Sequence, residues 1–147
     1  MQGTRLQQGG RGDISRGVGS MPAMRAARRV LIAEDEAVVG MLLCDMLSLL
    51  GVNSVGPAGS VSRALALIEA EAARLDGAIL DIKLGRDEVY PVADRLRVLK
   101  LPFIFVTGCG LPAIPPRYDD APVIEKPFDL ADLEDLLGRH LPPRRHG

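Results

Sequence analysis

The sequence is poor in several things that would each have pointed somewhere. It has no tryptophan, and aromatic residues make up only 3% of it. Its two cysteines, Cys44 and Cys109, are too few for a disulfide framework, so a reduced, cytoplasmic chain is expected. No apolar run approaches the roughly 20 residues needed to cross a bilayer. No apolar signal region follows the N-terminus, which removes the expectation of secretion or of a membrane partner. The first strand-like run, "RVLIA" (Arg29–Ala33), is followed by "EDEAVVG" and not by a glycine-rich loop. Such an acidic turn repels phosphates unless a cation is present, which counts against a nucleotide-binding fold. The chain also has no internal repeat.

What is present fits one ordinary domain. The length is 147 residues, hydrophobic residues make up 47% and charged residues 25%. A single core is within reach at this size. The net charge of −1 conceals an asymmetry. Residues 1–29 carry six arginines against Asp13, whereas residues 30–141 carry ten basic and eighteen acidic residues. An acidic body argues against nucleic acid as the main partner. Residues 1–28 are basic, rich in Gly, Arg, Ser and Gln, and lack apolar periodicity. They are expected to be a disordered segment or an added leader. A domain over 29–141 and a flexible tail over 142–147 complete the expected organisation.

Within 29–141, strand and helix patterns alternate. Apolar residues at Val38, Val39, Leu42, Leu43, Met46, Leu49 and Leu50 recur at helical spacing and predict an inward helix face. Met41, Cys44 and Leu47 then fall on the outer arc, an apolar surface suited to docking. Gly51 supplies a C-terminal cap. "VNSVGP" (52–57) reads as a second strand, and Ser60 or Ser62 caps a second helix with Val61, Ala64, Leu65, Ile68 and Leu75 inward. Ala78–Leu80 is the third strand. Val89, Val92, Leu96 and Leu99 mark a third helix, with Pro91 tolerated in its first turn. "PFIFVT" (102–107) and "PVIE" (122–125) are the fourth and fifth strands. A last helix buries Leu130, Leu133, Leu136, Leu137 and Leu141. Between Thr107 and Pro122, Gly108, Gly110, Pro112, Pro115 and Pro116 are incompatible with a normal crossover helix. The fold class is therefore α/β: a three-layer, doubly wound, five-stranded parallel sheet with the fourth helix absent or shortened.

In open parallel sheets, chemistry gathers at the carboxyl ends of the strands. The first strand ends in Glu34, Asp35 and Glu36, the third in Asp81, the fourth in Thr107, and the fifth in Glu125, Lys126 and Pro127. Clustered carboxylates repel one another unless a cation sits among them. Oxygen ligands without His or Cys favour Mg²⁺. With Mg²⁺ bound, Asp81 becomes a nucleophile towards a phosphoryl group, and Lys126 and Thr107 compensate the charge of the transferred oxygens. Glu36 reads first as an acid in a helix's opening turn. Cys109, two residues after Thr107, is placed at the mouth of this site. His140 and His146 read as surface residues.

These residues carry a resemblance. "VLIAEDE", "AILDIKL", "FIFVTG" and "EKPF", in order and each at a strand end, are similar to the response-regulator receiver domain. The resemblance covers about Arg29 to Leu141. It implies a flavodoxin-like fold and phosphorylation of Asp81 by a histidine kinase, a phosphotransfer protein or a small phosphodonor. It implies Mg²⁺ held by Asp35 and Asp81, by Glu34 through water, and by the Lys83 backbone carbonyl. Thr107 and Lys126 would contact the phosphoryl group, and a cis bond would precede Pro127. The expected function is a single-domain response regulator of two-component signalling, signalling to an unknown downstream protein by altered binding or phosphorelay, with a weak homodimer left open. It would be no enzyme beyond its own phosphotransfer and dephosphorylation. Glu34 stands where Asp is commoner, Gly85 where many receivers have proline, and Val123 where many carry an aromatic switch residue. "FVTGCG" resembles a stand-alone subgroup whose fourth strand ends Phe-x-Thr-Gly. Two alternatives remain: a pseudo-receiver scaffold, and a small aspartate-dependent phosphatase. The latter chemistry wants a second Asp where Lys83 stands.

Overall fold

The computed structural model describes residues 27–108 and 114–142. The expectations for the basic leader, for Cys109 and for the tail beyond 142 lie outside the described residues. The elements run β1 (Arg29–Ala33), α1 (Ala37–Leu49), β2 (Asn53–Ala58), α2 (Val61–Glu71), β3 (Gly77–Asp81), β4 (Lys83–Leu84), β5 (Asp87–Glu88), α3 (Tyr90–Val98), β6 (Phe103–Thr107), β7 (Val123–Glu125) and α4 (Leu130–His140). A single 3₁₀ turn, Pro116–Tyr118, is the only helical structure among the described residues between β6 and β7. Prolines and glycines there leave too few donors and too much backbone freedom for more.

Five strands form one parallel sheet in the order β2-β1-β3-β6-β7. β3 and β6 are buried along their whole length, as parallel strands covered on both faces must be. Side chains alternate across the sheet. Leu31, Ala33, Ala78, Leu80, Phe103 and Phe105 pack on one face under α2 and α3. Val30, Ile32, Ile79, Ile104 and Val106 pack on the other under α1 and α4. A two-stranded antiparallel hairpin, β4–β5, follows Asp81 directly. Gly85 turns it at φ +65°, a backbone region that glycine enters without penalty.

The helix ends follow their caps. Ser60 accepts from the Arg63 amide at the start of α2. Asp129 and Asp132 exchange reciprocal bonds at the start of α4. Arg28 Nη1 donates to the Leu141 carbonyl at 2.8 Å, joining the approach to β1 to the end of α4.

Helix α1 differs from the sequence expectation by a rotation. Leu47 is fully buried, whereas Val38, Leu42 and Leu49 are 78%, 56% and 76% exposed. The inward residues are Gly40, Leu43, Met46 and Leu47. Gly40 sets the phase: a Cβ there would lie 2.8 Å from Pro57 Cγ, so the helix can approach β2 closely only along that line. Met41 is exposed as expected, but the apolar outer stripe is Val38, Met41, Leu42 and Leu49.

Candidate functional site

The carboxyl edge of the sheet brings Glu34, Asp35, Asp81, Thr107 and Lys126 to the ends of four neighbouring strands, β1, β3, β6 and β7. Asp81 is the last residue of β3 and is buried. Its Oδ2 lies 3.1 Å from Lys126 Nζ, and its Oδ1 accepts from the Lys83 amide at 3.3 Å. Glu34 is buried beside it. Its Oε2 accepts from the Glu36 amide at 3.1 Å, and its Oε1 is 3.1 Å from Lys126 Nζ. Lys126 also reaches Glu36 Oε1 at 3.7 Å. The ammonium therefore spans carboxylates from the turn after β1 and from the end of β3. The peptide bond from Lys126 to Pro127 is cis.

Burial raises the pKa of Glu34, and the neighbouring Asp81 charge adds to this. The Glu36 amide and Lys126 offset only part of it. Burial alone would lower the pKa of Lys126. The Asp81 and Glu34 carboxylates more than compensate and hold it above its ordinary value, so the ammonium stays charged.

Glu34, Asp35 and Asp81 each offer a carboxylate oxygen within 4.8 Å of the others. Glu34 Oε1 is buried and, despite its ion-pair distance to Lys126, has no aligned hydrogen bond. Such an oxygen still has lone pairs to give. Three hard oxygen donors, one under-satisfied, fit a divalent cation of the Mg²⁺ kind.

Thr107 ends β6, is buried, and pairs with Glu125 of β7. Its carbonyl accepts from the Lys126 amide at 2.9 Å, which fixes the height of Lys126 at this edge. By strand alternation Thr107 shares a face with Phe103 and Phe105, the α2/α3 side, whereas Asp81 shares its face with Ile79, the α1/α4 side. Lys83 is exposed in β4, with its amide turned to Asp81. Glu36 contributes more than a helix-start acid would. The signal for that was its place in an unbroken Glu34–Asp35–Glu36 run.

No protein-family model matches the chain. Relatives and solved structures do. SdrG from Sphingomonas melonis Fr1, solved in solution, shares 37% sequence identity, with a TM-score of 0.68 over 78% of this chain and 97% of its own. The BeF₃-activated conformation of SdrG matches with a TM-score of 0.64. The transcriptional regulatory protein PdtaR of Mycobacterium tuberculosis is 36% identical over 110 residues, 72% of this chain and 53% of PdtaR. The phyllosphere-induced regulator PhyR of Methylorubrum extorquens is 31% identical over 123 residues, 78% of this chain and 44% of PhyR. The chain thus spans about half the length of the curated relatives it matches.

The fold is that of a receiver domain, as it is for the solved structures matched. The chain belongs to the response-regulator receiver family. Its family and relatives are those of two-component signalling.

Proposed function

We propose that the chain is a phosphoacceptor switch in which Asp81 takes a phosphoryl group from a phosphohistidine donor. A carboxylate oxygen of Asp81 forms the new O–P bond as the P–N bond of the donor breaks, and the imidazole nitrogen leaves with the bonding pair and takes up a proton. The reading rests on one observation: Lys126 Nζ lies 3.1 Å from both Asp81 and Glu34, within a cluster of three carboxylates. The ammonium compensates charge that develops on the transferred oxygens, and positioned positive charge is most of what phosphoryl transfer needs. The Thr107 hydroxyl supplies a hydrogen bond to the same oxygens. Glu34, Asp35, Asp81 and the Lys83 carbonyl would hold Mg²⁺, which when bound offsets the carboxylate charge that otherwise repels a phosphate.

The test is intact mass after incubation with acetyl phosphate and Mg²⁺. Wild type gains about 80 Da, and Asp81→Asn gains nothing. An unmodified wild type that also fails to bind Mg²⁺ would favour a pseudo-receiver scaffold. The specific observation behind that second reading is that Lys126 already neutralises Glu34 and Asp81 in part.

The donor is a histidine kinase or phosphotransfer protein, in the cytoplasm. The exposed stripe of Val38, Met41 and Leu42 begins two residues beyond Glu36 and flanks the acid edge. A helical donor seated there brings its histidine to Asp81. Met41→Glu with Leu42→Glu slows transfer from the cognate donor and leaves acetyl phosphate unaffected. Equal slowing of both would remove the docking role.

A further inference from the structure

Lys126 has three acidic neighbours, and they are not alike. Glu34 Oε1 and Asp81 Oδ2 each lie 3.1 Å from its Nζ, and both side chains are buried. Both also belong to the set of carboxylates that fits a divalent cation. Glu36 Oε1 lies farther off, at 3.7 Å, on a side chain that is 67% exposed, and it is not in that set. The nearer pair is what holds the ammonium charged. Two of the three neighbours are thus common to Lys126 and the candidate metal site, and the third meets Lys126 alone.

Glu36 also stands where its side chain has no helical duty. It is the N-cap residue of α1, in extended backbone at φ −87° and ψ 117°. Ser, Thr, Asp and Asn are favoured there because their short side chains reach the amides of the first turn. Glu36 makes no such bond. Its main chain does the local work. Its carbonyl accepts from the Gly40 amide at 2.9 Å, which opens the helix, and its amide donates to Glu34 Oε2 at 3.1 Å. Its charge suits the start of a helix wherever the side chain points, so the dipole does not explain the approach to Lys126. A residue that caps its own helix poorly but faces a charged site points to the site as the reason for it.

A divalent cation on Glu34 and Asp81 changes the balance at Lys126. The carboxylate charge that the ammonium offsets is then shared with the cation, and the two positive groups repel. The backbone of Lys126 is tied to this edge, because its amide is bonded to the Thr107 carbonyl at 2.9 Å. Its side chain is only 20% exposed. An acid outside the cluster then counts for most. Glu36 contributes more with the cation than without it, and only such a difference shifts an affinity.

We propose that Glu36 is a positioning residue for Lys126: its carboxylate is the counter-ion that keeps the ammonium at the acid edge when a divalent cation occupies Glu34 and Asp81. Through Lys126 it sets how tightly that cation is held. This rests on the metal set named under the phosphoacceptor reading above. The amide bond to Glu34 survives replacement of the side chain, so variants at position 36 report on the carboxylate alone.

The test uses Mn²⁺, an oxygen-preferring stand-in for Mg²⁺. Its binding is read from the loss of free-ion signal in electron paramagnetic resonance, with Mg²⁺ then added as competitor. Glu36→Gln is expected to weaken binding of both ions by about three- to tenfold. Glu36→Ser removes the same charge but supplies a favoured cap. Urea unfolding without added metal should show wild-type stability or better, while the ions bind as weakly as with Glu36→Gln. In a Lys126→Met background, Glu36→Gln should change affinity by less than about twofold, because the ammonium it acts on is gone. Wild-type affinity in both Glu36 variants overturns the proposal. So does an equal loss with and without Lys126, which would mean that the carboxylate acts on the cation directly. Failure of the wild type to bind either ion overturns the metal set and this proposal with it. The phosphoacceptor reading fails separately: a wild type that binds Mn²⁺ with this dependence on Glu36 but gains no mass from acetyl phosphate keeps the role of Glu36 and loses that of Asp81 as acceptor.

Discussion

Helices α1 and α4 lie on the same face of the sheet, yet they are built on opposite plans. Helix α4 is strongly two-sided: Leu133 and Leu137 are buried, its outer face is charged, and Asp129 and Asp132 close its first turn reciprocally. Arg139 pairs with Asp135 at its far end, where positive charge also suits the helix dipole. Helix α1 is apolar nearly all round, begins at Glu36 without a side-chain cap, and forms no ion pair within itself among the described contacts. The difference shows that an apolar stripe specifies a helix's rotation only when the opposite face is polar. In α1 the rotation is specified by the absence of a side chain, at Gly40, against Pro57. Helix α4 is held by its own sequence, and α1 by what it touches.

That contrast can be broken most severely at Leu47. Leu47→Glu buries an unpaired carboxylate and is expected to cost more than about 4 kcal/mol, enough to unfold much of the population. Leu49→Glu, two residues on and exposed, should stay within about 0.5 kcal/mol of wild type by urea unfolding. Similar losses at both would mean that α1 is rotated otherwise than described. Next is Gly40→Ala. Helix propensity alone predicts a gain of about 1 kcal/mol. The clash with Pro57 predicts a net loss of about 1–3 kcal/mol, read from the same unfolding curves. A gain would show that α1 has slack against β2. The smallest effect concerns α4: Asp129→Ala should lose about 1 kcal/mol through its cap. Glu36→Ala at the start of α1, where the side chain caps nothing, should change stability by less than half of that. A different readout applies there, since Lys126 loses one neighbour.

The same contrast explains how much was legible beforehand. The five strands, Gly51, Ser60 and the inward Leu133 and Leu137 of α4 could be read because each rests on a local rule: an apolar run, a cap or a clear period; Leu130, expected inward with them, is exposed in the first turn. The acid edge was legible because strand ends converge wherever a parallel sheet forms: Glu34, Asp35, Asp81 and Lys126 lie together there, and Thr107 ends the adjacent strand. The inward face of α1 was not, since Val38, Leu42 and Leu49 satisfy the helical period as well as Leu43 and Leu47 do. The β4–β5 hairpin was missed because its strands are two residues each and mostly polar. Tyr118 gave no signal at all. Its ring partners Phe105, Phe103 and Tyr90 lie 13 to 28 positions away, and nothing local announces a turn residue buried among them.

The bond from Arg28 to the Leu141 carbonyl has a consequence for how this domain can be joined to others. It brings the fold's entry and exit to one corner, at the amino-terminal end of β1, with the length of a five-residue strand, roughly 16 Å, between that corner and the acids. A neighbour tethered at either end would hang from the same pole and leave the opposite one open to a visiting donor. Closing the two ends with a short linker and cutting the chain at the Gly85 turn should therefore give a permuted protein that still folds.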